Sequence, residues 1–397
     1  MKKPAPSYMD KGRPVLGGVK RALERVRGLY YRRAAAAFIQ RDAAGLAARG
    51  NGRTRIAFAL KEITYLKAFM PLIRLWEDRY EVVVFVFKGD EKATSPIRNL
   101  RYLEVLAPYR KVWFESARDV AETCGSEGIQ NIFTLEAMPF GEEDYDDPGW
   151  RLYVITHMTD FNRTLDWYYE KAFAVLFQSR YMAGENSARD RDGKFVYPGY
   201  SQYLVLPDLD EKRILDKYGL PEGKRILFIF GPQKKFYRQT REIMDHLCEY
   251  ARERDCFLVY KTRRKNPVPL YLRWRLRPFR TFYDESYFPP TSLELMHVSQ
   301  AVVNFDSTGI QEIVMLEKKV LNFYLKRGYR GMPEIYEEPA VEDLAVGASR
   351  EEVFRSLDRL VGADLSREMR EIKMKYFLDE RVIRENYLRL EESFLTD

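Results

Sequence analysis

Short apolar runs rich in β-branched and aromatic residues alternate with helix-like segments along most of this 397-residue chain. Examples are EVVVFVF at Glu81–Phe87, RILFIF at Arg225–Phe230 and CFLVYK at Cys256–Lys261. Near-continuous apolar runs are typical of strands that are covered on both faces, and parallel neighbours need a crossover connection. The alternation therefore predicts an α/β fold with parallel sheets, and no other feature constrains the chain as strongly.

The alternation is interrupted between residues 196 and 222, where five Pro and Gly residues occur. We place a domain boundary near residues 200–222, since such segments are typical of linkers. The expected architecture is two Rossmann-like domains that face each other across a cleft. The predicted division is a basic helical extension, an N-terminal domain, a C-terminal domain and C-terminal helices, at 1–53, 54–205, 206–345 and 346–397.

Positive charge is concentrated at the N-terminus. Residues 1–53 hold 13 Lys and Arg against 3 Asp and Glu, whereas the remainder holds 53 basic and 56 acidic residues. Apolar residues recur every three to four positions over 15–49, which predicts a basic amphipathic helix. This helix is expected either to bind an anionic membrane surface or to pack on protein. Nucleic acid is disfavoured as a partner because the body is net acidic and shows no nucleic-acid motif.

Three scattered cysteines without a CxxC pair argue against a disulfide framework or a thiolate metal site, and three histidines are too few for multi-histidine metal catalysis. No apolar run is long enough to span a membrane, and the N-terminus has no signal-peptide pattern. We therefore expect a cytoplasmic protein, at the inner face of the plasma membrane if its N-terminal helix binds lipid. We expect no metal and no cofactor.

The segment AVVNFDSTGIQEIVMLEKK, which begins at Ala301, is the most informative one. A predicted strand ends before Ser307, Thr308 and Gly309, and a helix follows with Glu312 in its first turn. A hydroxyl of this turn is predicted to cap the helix, and the glycine to let a ligand approach the backbone. Free helix amides at the carboxyl end of a parallel strand would hold phosphate, and Glu312 suits ribose hydroxyls. A plain capped strand–turn–helix would give the same pattern.

This segment resembles the donor-binding motif of GT-B-fold enzymes. It is similar to the D-S-G-G-x-Q-E-E pattern of non-hydrolysing UDP-N-acetylglucosamine 2-epimerases, which is matched by Asp306, Ser307, Gly309, Gln311 and Glu312. It is also similar to CDP-glycerol glycerophosphotransferases of teichoic-acid synthesis. Their pattern places an acidic residue and K-P-hydrophobic after D-Y-S-S, and here Lys319 replaces the proline.

Two upstream segments resemble the same transferases. Lys261 ends a strand like the one that precedes their K-P-H-P-like phosphate loop, and Arg263 would hold a diphosphate in place of the missing histidine. A solvated basic loop is the alternative. His157 lies in I-T-H-M-T-D-F, similar to an H-G-T motif whose histidine is the acid/base, although Met158 replaces the glycine. Asp160 would orient His157 or contact the acceptor, and a structural histidine is the alternative.

A weaker signal is Gly231-Pro232-Gln233, which follows the first predicted strand of the C-terminal domain. In GT-B enzymes this loop commonly touches the donor diphosphate, so the resemblance implies that Gly231 and Gln233 bind phosphate. A solvent-exposed turn is equally consistent with the pattern.

The resemblance implies a GT-B-type transferase that moves a sugar or glycerol phosphate from a UDP-, GDP- or CDP-linked donor to a cell-surface glycan or lipid-linked acceptor. One alternative is a UDP-sugar 2-epimerase, for which Glu62 is a candidate acid/base. A second is a non-catalytic nucleotide-binding scaffold at the membrane. The sequence does not distinguish the base, the transferred group, the acceptor, the stereochemistry or the oligomeric state.

Overall fold

The computed structural model describes residues 53–89, 92–135, 149–156, 171–190, 192–263, 266–325 and 332–394. The predicted N-terminal helix and the candidate catalytic residues His157 and Asp160 lie outside these ranges. Within them, every helix is too short or too polar to cross a bilayer.

The first half of the chain forms a parallel sheet in the order β3-β2-β1-β4-β5-β6-β7. The strands are Arg55–Leu60, Glu81–Phe87, Arg110–Phe114, Asn131–Leu135, Arg151–Ile155, Ala174–Leu176 and Phe195–Val196, numbered β1 to β7 in that order. The helices are α1 (Leu66–Trp76), α2 (Ala117–Glu127) and α3 (Arg180–Ala183), and short 3-10 helices include Ile63–Tyr65, Leu100–Leu106 and Ser201–Asp208.

The second half forms a parallel sheet in the order β10-β9-β8-β11-β12-β13. Its strands, β8 to β13, are Arg225–Phe230, Cys256–Lys261, Arg280–Phe282, Ala301–Asn304, Lys319–Tyr324 and Val341–Ala345. The helices of this half are α4 (Glu211–Tyr218), α5 (Arg241–Glu253), α6 (Leu270–Arg275), α7 (Thr291–His297) and α8 (Ile310–Met315). The predicted α/β class with two parallel, Rossmann-like sheets is thus confirmed.

The C-terminal segment connects the two halves. Helix α9 (Arg350–Gly362) packs on the second sheet, and α10 (Ser366–Tyr376) follows it. Helix α11 (Glu380–Leu390) then returns to the first half. There the buried ring of Phe394 packs against the rings of Trp76, Phe133 and Tyr153. The sequence gives no sign of this return.

The sequence pattern over Ser366–Glu391 predicts one continuous helix, whereas the structure has two helices there. Helix α10 ends at Tyr376, and Asp379 is the residue that caps the start of α11. The side chain of Asp379 accepts a hydrogen bond from the backbone amide of Arg381. An aspartate that caps a new helix this way competes with continuation of the old one. The break lets α11 change direction and reach the first sheet.

Five further helices and strands were not predicted. They are the helices α3, α4 and α6 and the edge strands β7 and β13. Strand β13 reads VEDLA and is only partly buried beyond its first residue, because an edge strand is covered less than a central one. The pattern predicts a helix over Arg98–Ala107, and the structure has a 3-10 helix at Leu100–Leu106.

Candidate functional site

The order of strands reverses beside the first strand of each sheet. In the second sheet the chain runs outward from β8 through β9 to β10 and then returns to β11 on the other side of β8. Open α/β sheets bind ligands at the carboxyl ends of the strands where this reversal occurs. The loop that starts at Gly231 and the turn that contains Ser307, Thr308 and Gly309 follow β8 and β11. The structure therefore brings these predicted phosphate-binding segments together at the reversal.

Asp306 fixes the turn after β11. Its backbone adopts a left-handed conformation with φ of 44°. One carboxylate oxygen accepts a hydrogen bond from the Asn322 side chain at 3.0 Å, and the other accepts one from the Leu325 amide at 2.6 Å. Because the side chain is 8% exposed and anchored to β12, Asp306 shapes the turn from inside the protein.

The start of α8 differs from the prediction. Gly309 is the capping residue and receives no side-chain cap, so the expected cap by Ser307 or Thr308 was wrong. The Ser307 hydroxyl instead accepts a hydrogen bond from the Gly309 amide at 3.3 Å. The amides of Ile310 and Gln311 donate to the carbonyls of the turn. Fewer helix amides are therefore available for an anion than the sequence suggested.

Both glycines of the reversal are required by packing within the protein. A Cβ atom on Gly309 would lie 2.8 Å from the ring of Phe230, and one on Gly231 would lie 2.5 Å from the hydroxyl of Tyr260. Gly309 was expected to make room for a ligand, and the structure shows that its missing side chain makes room for an aromatic ring. Close packing of this kind fixes the loops after β8 and β11 relative to each other.

Glu312 links the two halves of the molecule. Its carboxylate accepts a hydrogen bond from the Gln202 side-chain amide at 3.1 Å and lies 3.7 Å from the ammonium of Lys67. Lys67 is in the first turn of α1, which follows β1 at the reversal of the first sheet. The reversal points of the two sheets therefore face each other, and polar side chains fill the space between them.

The carboxyl group of Glu312 is held in its charged form. Burial alone would raise its pKa, but the ammonium of Lys67, a hydrogen bond from Ser292 and the charge of Lys261 together lower it below the usual value. Gln202 is 1% exposed, and its side-chain oxygen has no hydrogen-bond partner among the residues that the structure describes. A buried polar atom without a partner is costly, so the cluster keeps one unsatisfied acceptor within the described residues.

Lys261 lies beside the same cluster. Its ammonium is 2.6 Å from Asp284, which follows β10. Burial lowers the pKa of Lys261, and Asp284 opposes that shift. Burial would raise the pKa of Asp284, but Lys261 and Lys67 outweigh it, with a smaller contribution from Arg263, so its pKa is lowered. The predicted phosphate ligand Lys261 is thus already paired with a carboxylate.

The remaining predicted residues lie at the rim. Arg263 and Gln233 are exposed, and Gln233 precedes the short 3-10 helix Lys234–Phe236. In the described part of the chain, His, Cys, Asp and Glu side chains form no cluster of three or more suited to a metal ion.

Sequence reasoning missed four members of the cluster, which are Lys67, Gln202, Asp284 and Ser292. One signal was available for Lys67, since the helix that follows the first strand of a Rossmann-like domain starts at the reversal point. No local signal identifies the other three residues, because each meets Glu312 or Lys261 only through the fold.

The structure is similar to solved two-domain enzymes. One is the UDP-GlcNAc 2-epimerase from Neisseria meningitidis bound to UDP-GlcNAc, with 12% identity over 87% of this chain and 100% of that chain and a TM-score of 0.60. The UDP-GlcNAc 2-epimerase from Methanocaldococcus jannaschii is 11% identical over 81% and 99%, with a TM-score of 0.56. A glycosyltransferase from Rickettsia africae is 11% identical over 87% and 99%, with a TM-score of 0.52.

No protein-family model and no curated protein sequence matches the chain. At the identities above, the structural similarity shows the fold alone. The chain therefore has the two-domain α/β architecture of GT-B proteins.

Proposed function

We propose that the chain is an enzyme that acts on a nucleotide-activated sugar bound between its two domains. The observation that carries this proposal is the meeting of both reversal points at Glu312 and Lys67, where the side-chain amide of Gln202 also donates to Glu312. Solved structures of the same fold include proteins in complex with UDP and with UDP-GlcNAc, which supports a uridine nucleotide as the first donor to test.

The donor would lie against the C-terminal domain. Glu312 is ionised and would accept hydrogen bonds from ribose hydroxyls, exchanging part of its contact with Lys67 for them. The diphosphate would lie along the turn of Ser307 and Thr308 and the loop at Gly231. Arg263, exposed at the end of β9, would balance charge on the leaving nucleotide together with Lys261.

The reaction that we propose first is transfer to an acceptor. His157 follows the last residue of β5 by two positions in the sequence. A histidine suits removal of a proton from an acceptor hydroxyl because its pKa lies near neutrality, and Asp160 would orient it. The acceptor would be a glycan or a lipid-linked glycan. Closure of the domains would exclude water and so limit hydrolysis of the donor.

A second candidate is a UDP-sugar 2-epimerase, which is favoured by the UDP-GlcNAc 2-epimerases among the similar structures. That reaction needs a carboxylate to move the proton at C2. Glu62 lies after β1, but its carboxylate is engaged by the Lys92 ammonium and the Thr94 hydroxyl. Glu62 would have to exchange these contacts before it could act as acid or base.

Proton NMR of the full chain with UDP-, GDP- and CDP-linked donors separates the candidates. Nucleotide release that requires an added glycan acceptor supports a transferase, whereas an isomerised sugar without acceptor identifies an epimerase. Binding without turnover for every donor and acceptor leaves a nucleotide-binding scaffold. A His157→Ala variant that keeps wild-type turnover would refute the proposed base.

A matched pair of variants tests the position of the nucleotide. Glu312→Gln should weaken UDP binding about tenfold, since it removes a charged acceptor from the cleft. The control is Glu294→Gln, which also removes a buried carboxylate paired with a lysine, but one whose partners are Lys217 and Tyr218. Equal UDP affinity in both variants, measured by calorimetry, would place the nucleotide elsewhere.

A further inference from the structure

Helix α6 exposes two large apolar side chains. Leu270 and Trp274 are each 79% exposed, while the next most exposed large apolar side chain in the described residues is Met374 at 54%. Residues four apart lie one above the other on a helix, so Leu270 and Trp274 form one apolar face directed at solvent.

The helix itself is firmly attached. Leu272 and Leu276 on its other side are buried in the core of the second domain. The Tyr271 hydroxyl donates a hydrogen bond at 2.9 Å to the carbonyl of Tyr237. The exposure of Leu270 and Trp274 is therefore a property of a packed helix, and it is not explained by fraying.

The chain segment that carries this face is basic in sequence. Residues 261–283 contain eight Lys and Arg and no Asp or Glu. Arg273, Arg277 and Arg280 are exposed, whereas Arg275 is paired with Asp245 at 3.0 Å. We call Leu270, Trp274 and these three exposed arginines the α6 surface.

We propose that the α6 surface docks the protein on an anionic lipid bilayer. Tryptophan prefers the boundary between headgroups and acyl chains, and leucine beside it adds apolar area that enters the membrane. The arginines would contact lipid phosphates, and binding should weaken about fivefold for each arginine removed. This site is separate from residues 15–49, and it does not depend on which nucleotide the cleft binds.

A bilayer fits the α6 surface better than other occupants. A second copy in a two-fold dimer would place the same arginines against one another, which repels. A protein partner would need a preformed pocket for each protruding side chain and acidic groups around them. A bilayer offers negative charge and an apolar layer without such a match in shape.

A fluorescent label tests the site in the full chain. The described native cysteines, Cys124, Cys248 and Cys256, are buried, so a Leu270→Cys variant can be labelled with the environment-sensitive dye NBD. The control is Met374→Cys, a label on another exposed apolar position. With phosphatidylcholine vesicles that contain phosphatidylglycerol, we expect a blue shift and brighter emission at 270 and no change at 374. Vesicles of phosphatidylcholine alone should leave both labels unchanged.

Three outcomes would overturn the proposal. If the protein sediments with the vesicles but the emission of the label at position 270 is unchanged, another surface, such as residues 15–49, binds the membrane. If the emission is unchanged and the protein does not sediment with the vesicles, an acidic protein is the remaining candidate partner. A shift without lipid that grows with protein concentration would indicate a second copy.

Vesicle sedimentation then separates the two kinds of contact. Leu270→Ser with Trp274→Ser should weaken binding about tenfold, because apolar area no longer enters the membrane. The matched control, Met374→Ser with Val382→Ser, should bind like the wild type. Equal binding by both double variants would show that the apolar face plays no part.

Discussion

Replacing Lys67 by methionine should destabilise the protein and should do so through Glu312. Methionine keeps the length and apolar stem of the side chain and removes only its charge. The ammonium of Lys67 lies 3.7 Å from the Glu312 carboxylate, and the two side chains are 18% and 15% exposed. The variant therefore leaves a largely buried carboxylate without its main counter-charge.

The magnitude follows from this distance. Two unit charges 3.7 Å apart attract by about 4.5 kcal/mol at an effective dielectric constant of roughly 20. Part of this is retained, because Lys261, Gln202 and Ser292 still stabilise the carboxylate. We expect a loss of about 2 kcal/mol in the free energy of unfolding at neutral pH, below the range for a fully uncompensated buried charge.

The assay is urea denaturation of wild type, Lys67→Met, Glu312→Gln and the double variant. The double variant should lose about 1–2 kcal/mol less in the free energy of unfolding than the two single variants lose together. The reason is that the effects of substitutions at residues in contact are not additive. Additive losses, with no coupling free energy between the two positions, would refute the reasoning, because the contact would then contribute nothing.

The same pair predicts a dependence on pH. The pKa of Glu312 is lowered in the folded state, so its stabilisation is present above the usual glutamate value of 4.5 and is lost as the pH falls through the folded value. The difference in the free energy of unfolding between wild type and Lys67→Met should be largest at neutral pH and should shrink in acid. A difference that grows in acid would contradict the assignment.

Three further predictions concern packing and buried charge. Gly309→Ala should cost about 1–3 kcal/mol by overpacking against the Phe230 ring, and Phe230→Leu should recover part of this loss in thermal unfolding. Phe394→Ala should cost about 3–5 kcal/mol in urea denaturation, because its buried ring packs on Trp76 and joins α11 to the first sheet. Lys373→Met should cost about 3 kcal/mol, since its buried ammonium donates to two glutamates, and an unchanged unfolding midpoint would contradict this.

The central strands were predicted, and so were the edge strands β3 and β10, but the edge strands β7 and β13 were not. The run EVVVFVF of β2 is buried at every position beyond the first, and RILFIF of β8 is buried over its middle four residues. These strands were predictable because their burial is reflected in a nearly continuous run of apolar residues. Strand β13 contains polar residues and lies at an edge of the sheet, where it pairs with a strand on one side only. Such a strand can form without the continuous apolar run that marks a central strand. The break before α11 was missed because the helical periodicity continues past Phe377.

Part of the candidate site was also predictable from a local pattern, and part of it was not. The turn after β11 was found because Asp306 to Gly309 form a contiguous signal next to a strand. The partners of Glu312 come from two other parts of the chain, 245 and 110 positions away at Lys67 and Gln202, and no local pattern marks them. The packing of Gly309 against Phe230 could not be read from the sequence, because a ligand and an aromatic ring require the same missing side chain.

By itself, the sequence determined the α/β class, the two parallel sheets and the segments that end at their carboxyl edges. These features follow from patterns within a few residues, because burial of a strand or a helix selects apolar side chains at short, regular intervals. Only the tertiary structure decided that both reversal points meet at Glu312, that Lys261 is paired with Asp284 and that α6 turns Leu270 and Trp274 to solvent. Contacts between distant segments depend on how the sheets and helices pack in space, and local periodicity carries no record of that packing.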